Sequence, residues 1–78
     1  MRKKEECIVF TFESTTQAMK VEKTAKKLNA PGRIIPVPTQ ISAGCGLAYS
    51  ALIEHKDNLM ALFQEHDLNF QSTYEIMV

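Results

Sequence analysis

Apolar and polar positions alternate where the chain opens. In CIVFTF, Ile8, Phe10 and Phe12 interleave with Cys7, Val9 and Thr11, the period of a half-buried β-strand. The period then changes. Ala18, Val21, Ala25 and Leu28 recur at helical spacing, and Lys20, Lys23 and Lys27 fall on the opposite face. Ser14-Thr15-Thr16-Gln17 spells a capping box, in which the serine hydroxyl accepts from a backbone amide and the glutamine reaches back, so a helix starts there. It ends near Asn29, because Pro31 cannot continue it and Gly32 suits the turn.

RIIPVP follows as a strand, and its two prolines lack amide donors, which confines it to a sheet edge. LAYSALI is apolar enough for an interior strand. Asp57 or Asn58 then caps a second helix whose Leu59, Leu62, Phe63 and His66 share one face. The last strand, FQSTYEIMV, is expected to turn Phe70, Tyr74 and Ile76 inward and Gln71, Thr73 and Glu75 toward water. The order βαββαβ predicts an α+β fold, a ferredoxin-like sandwich with two helices on one face of a four-stranded, antiparallel-rich sheet. In that arrangement the first and third strands are read as parallel neighbours, which brings Cys7 and Cys45 to the same end of the sheet.

Composition narrows the class. The 78 residues are read as a single domain, 1–78, and a chain of this length buries only about 60% of its unfolded surface, so a homodimer would support its core. Hydrophobic content of 45% against 23% charged argues against disorder. The uncharged run from Ile34 to Ile53 is as long as a membrane span, but Pro36, Pro38, Gln40, Ser42, Gly44 and Gly46 interrupt it, so no membrane helix is expected. MRKKEEC has no apolar stretch or cleavage site behind it, and a cytoplasmic location is expected. Eight of the nine basic residues precede Ile34, and five acids follow Ile53. Without interleaved aromatics, the lysine-rich helix reads as a solvated face and nucleic-acid binding is not expected.

Within the uncharged run Cys45 stands between Gly44 and Gly46. The glycines permit left-handed backbone angles, remove side chains that would shield the sulfur, and let backbone amides converge on a thiolate. On spacing alone Cys45 is equally a reactive thiol or a residue tolerated in a turn. Cys7 reads first as a small apolar strand residue, with a resolving thiol as its chemical alternative. A zinc site needs a close ligand pair, which Cys7, Cys45, His55 and His66 do not provide, so no metal and no cofactor is expected. His66 is expected on the apolar face near a helix end. A cysteine hydrolase would need a histidine base, and His55 is the conceivable one, but it lies at the far end of the third strand from Cys45.

Taken together, the residues resemble the selenium/sulfur carrier-like family of small bacterial proteins. The match rests on the opening strand, Glu22-Lys23 in mid-helix, IPVP at residues 35–38, and Ser42, Cys45 and Gly46 before an apolar strand. Members often carry a basic residue after the second proline, where this chain has Thr39. The resemblance implies a carrier rather than a turnover enzyme: Cys45 would accept sulfur or selenium as a persulfide or selenenyl-sulfide from a donor protein and pass it to an acceptor protein. Two alternatives stand beside it, a reversible Cys7/Cys45 redox pair and a non-catalytic protein-interaction module.

Overall fold

A computed structural model describes residues 5–38, 41 and 46–77. Its elements run β1 (Glu6–Thr11), α1 (Thr15–Lys27), β2 (Arg33–Pro36), β3 (Leu47–Leu52), a 3₁₀ turn (Ile53–His55), α2 (Lys56–Glu65) and β4 (Ser72–Met77). The four strands form one sheet in the order β2-β3-β1-β4, and all three pairings are antiparallel. This is the ferredoxin-like α+β arrangement, with the proline-bearing β2 at an edge and β3 inside.

Local chemistry explains the helix ends. Ser14 caps α1 by accepting from the Gln17 amide at 3.3 Å, and the Gln17 side chain accepts from the Glu13 amide rather than from that of Ser14. Both helices close on left-handed residues, Asn29 at φ 55° and Asp67 at φ 57°. In each case the next amide bonds back to a last-turn carbonyl, Ala30 to Ala25 at 2.9 Å and Leu68 to Phe63 at 2.7 Å, the paired bonding of a Schellman ending. The second helix does not start as expected. The 3₁₀ turn feeds directly into α2, His55 takes the cap position without a side-chain bond, and Asp57 lies in the first turn, where its charge still favours the helix dipole.

The main core lies between the helices and the sheet. Phe10 of β1 packs on Phe63 of α2 with ring centroids 4.4 Å apart and meets Phe70 edge-on at 5.2 Å, while Tyr49 of β3 approaches Phe63 at 6.2 Å. Such ring pairs each add about 0.5–1.5 kcal/mol beyond area burial. Ile8, Phe12, Ala18, Val21, Ala25 and Leu59 complete this layer. Leu28, placed on the apolar face of α1 by spacing, is the C-cap instead and is 42% exposed.

The opposite face of the sheet is covered as well. Val9 and Ala48 are fully buried under Ile41, with Ile35, Val37, Tyr74 and Ile76 around them. Two expectations are therefore corrected. β1 is buried on both faces from Cys7 to Thr11, not half-buried, because the segment leaving β2 packs back over it. In β4, Tyr74 pairs with Val9 and joins the far face, whereas Thr73 and Glu75 pair with Phe10 and Ile8 and so stand on the helix side. Glu75 there forms an ion pair with Lys56 at the start of α2. Phe70, ahead of the strand, packs with the main core.

Two changes test this packing. Gly32 holds φ +103°, and a Cβ added there would stand 2.6 Å from the Ser50 carbonyl oxygen and 2.7 Å from a Tyr49 ring carbon. Gly32→Ala should lower unfolding free energy by about 2 kcal/mol or more, read from urea titration, and an unchanged midpoint would contradict this close approach of Gly32 to β3. The Tyr49 hydroxyl donates to the Pro31 carbonyl at 2.6 Å, and burial holds its pKa above the ordinary 10.0. The folded chain thus keeps a proton that the unfolded chain releases, so this contribution is complete below pH 10 and lost as pH rises through the folded pKa. Urea midpoints measured from pH 8 to 11 should fall less steeply for Tyr49→Phe than for the parent protein.

Candidate functional site

The connection from β2 to β3 carries the candidate thiol, and its two ends are fastened to the sheet. The Val37 amide donates to the Gly46 carbonyl at 3.0 Å, extending the β2–β3 ladder by one step. The Ile41 amide donates to the Pro38 carbonyl at 2.9 Å, and its side chain, 8% exposed, packs on Val9 and Ala48. Gly44 and Cys45, along with Ser42 and Thr39, lie outside the described residues. Gly46 is described: it is exposed, adopts φ +77°, and, its two chain neighbours aside, no heavy atom among the described residues lies within 4 Å of the point a Cβ would occupy. The left-handed angle suits glycine because L side chains pay a steric cost there.

A model of the family described as "Putative Se/S carrier protein-like" matches residues 6–75. The chain belongs to that family. No curated protein and no solved structure matches it. The Se/S carrier family match spans every element of the fold, from β1 into β4, so the ferredoxin-like frame and the β2–β3 connection fall within one family unit. Carriers of this kind have donors and acceptors as partners in general.

The structure removes the basis for pairing the two cysteines. β1 and β3 run antiparallel, and Cys7 lies opposite Leu52, at the end of β3 remote from Gly46. Extended chain advances about 3.3 Å per residue, so Gly46 stands about 20 Å from Leu52, and the single peptide unit to Cys45 covers only about 3.8 Å. A disulfide needs Cα atoms within about 7 Å. Cys7 is instead a free thiol, 7% exposed, whose Sγ donates to the Glu5 carbonyl at 3.5 Å. It packs as the small apolar strand residue that its surroundings suggest.

The histidines separate too. His55 follows β3 at the same remote end, and His66 is the exposed C-cap of α2 rather than part of its apolar face. Among the described residues no three His, Cys, Asp or Glu side chains gather to hold a metal, and no helix is long and apolar enough to cross a membrane. The Lys56 ammonium is held above its ordinary pKa by the hydrogen bond and charge of Glu75. That pair is exposed and sits on the helix side, the opposite face of the sheet from the Cys7 side chain.

Sequence reading passed over one feature. A cleft of about 620 Å³ opens near Cys7, lined by Arg33, Ser50, Leu52 and Glu5 among others. The available signal was Ser50 itself, a lone hydroxyl inside the apolar strand LAYSALI.

Two outcomes follow from this geometry. Mild oxidation of the purified chain should leave the intact mass without the two-hydrogen loss of an internal disulfide, and a Cys7–Cys45 bridge would contradict the antiparallel register. Gly46→Ala should cost about 1 kcal/mol in urea unfolding, less than Gly32→Ala, because only the left-handed angle and no clash opposes the methyl group.

Proposed function

We propose that the protein is a thiol-based sulfur or selenium carrier, with Cys45 as the carrying residue. The observation that supports it is the state of its neighbour: Gly46 is exposed and left-handed, and no described residue beyond its chain neighbours crowds the point a Cβ would occupy, so it adds no side chain to shield the adjoining residue. Membership of the Se/S carrier family supplies the chemical class.

The chemistry balances without an added oxidant. The Cys45 thiolate attacks the outer sulfur of a donor persulfide, a bond forms between Sγ and that sulfur, and the donor sulfur leaves as a thiolate. An acceptor nucleophile then attacks the outer sulfur of the Cys45 persulfide and releases the Cys45 thiolate. A selenenyl-sulfide follows the same course with selenium as the transferred atom. Gly44 and Gly46 act by access and by their backbone amides, which would stabilise the thiolate. Donor and acceptor proteins are the partners on this reading, and a reducing cytoplasm keeps the thiol free.

Persulfide treatment followed by intact mass measurement tests the assignment. The parent chain and Cys7→Ala should each gain one sulfur atom that a thiol acceptor removes, and Cys45→Ser should gain none. Equal loading of Cys45→Ser and the parent would overturn the carrier role of Cys45.

A further inference from the structure

Toward the end of β3 remote from Gly46, a cleft opens against the sheet. There Ser50 and Cys7, 8% and 7% exposed, stand on one face of adjacent strands and line the cleft of about 620 Å³, a size typical of small-molecule sites. The Ser50 side chain forms no hydrogen bond among the described residues. No buried side-chain oxygen or nitrogen among the described residues lacks a partner, so the unbonded Ser50 hydroxyl is open to solvent, and the cleft that Ser50 lines is its opening.

Charge is arranged on either side of this floor. Arg33 of β2 pairs directly with Ser50 across the ladder, and Glu5 precedes β1 two residues before Cys7. Both are exposed and both line the cleft. The strand between them holds β1 and β2 about 10 Å apart. Lys56 with Glu75 is the ion pair among the described residues, so neither Arg33 nor Glu5 is engaged in one. Leu52 and Ile35 supply apolar wall between the two charges.

We infer that this cleft binds a small zwitterion of amino-acid to short-peptide size, its carboxylate at Arg33, its ammonium at Glu5, and a polar atom bonded to Ser50. Arg33 offers a planar fork that matches a carboxylate. Glu5 disfavours a ligand carrying only negative charge, and Arg33 disfavours one carrying only positive charge, so both signs are needed. The hydrocarbon of the ligand covers Leu52 and Ile35. The assignment does not depend on Cys45, which is attached at the other end of β3.

Amide shifts followed by NMR on the full chain test this. L-leucine and a leucine tripeptide are the probes, with 4-methylpentanoate lacking the ammonium and 3-methylbutylamine lacking the carboxylate as controls. The zwitterions should shift the amides of Arg33, Ser50 and Cys7 at millimolar concentration. Each control, and each of Arg33→Ala and Glu5→Gln, should weaken binding about tenfold, the factor expected for one charge-assisted contact. No shift at the cleft with either zwitterion, or 4-methylpentanoate binding as well as L-leucine, would overturn the proposal. Unchanged binding by Arg33→Ala would do so equally.

Discussion

The placement of β3 between β1 and β2, antiparallel to both, is the constraint on which the rest of the molecule depends. Its register sets Tyr49 opposite Phe10 and Ala51 opposite Ile8 on the helix side, and Ala48 and Ser50 on the far side. A slip of one residue would turn Tyr49 away from Phe63 and place Ser50 in the aromatic layer. Because strand direction is fixed along with register, the two ends of β3 become different places. One receives the connection that ends in Gly46, and the other lies beside Cys7, Ser50 and Arg33.

Burial on both faces is what makes that register firm in so short a chain. The helix side is sealed by rings of Phe10, Phe63, Phe70 and Tyr49, and the far side by Ile41 and Val37 over Val9 and Ala48. The second layer also bears on the site. Burying Ile41 and bonding Val37 to Gly46 holds the foundations of the β2–β3 connection while Gly46 itself stays open to solvent. The carrier role proposed for Cys45 is served by such a fixed base, since its reaction partners would be other proteins rather than ligands drawn into a pocket.

Features encoded locally were legible in the residues. Ser14 announced a cap, Pro36 and Pro38 announced an edge, and the period of CIVFTF announced a strand, because each rests on backbone chemistry within a few residues. Features set by distant packing were not. β1 looked half-buried because Ile41 lies far along the sequence from the Val9 it covers. Asp57 and Asn58 looked like caps, yet the 3₁₀ turn from Ile53 carries the chain into α2 without one. The direction of β3 relative to β1 decided the fate of the Cys7 pairing, and no residue type in either strand encodes direction. At the site, Gly46 was legible because a glycine beside a turn thiol permits a left-handed angle, and it adopts φ +77°. The cleft was not, since Glu5, Arg33 and Ser50 are brought together only by the sheet.

The carrier role proposed for Cys45 requires its thiol to be far more reactive than the packed one at residue 7. Alkylation of both cysteines in the native protein, followed over time by peptide mass, measures that contrast directly. Cys45 is expected to react about a hundredfold faster or more than Cys7, whose rate should track local opening of the sheet. Native Cys45 alkylating as slowly as Cys7, with both released together by denaturant, would contradict it.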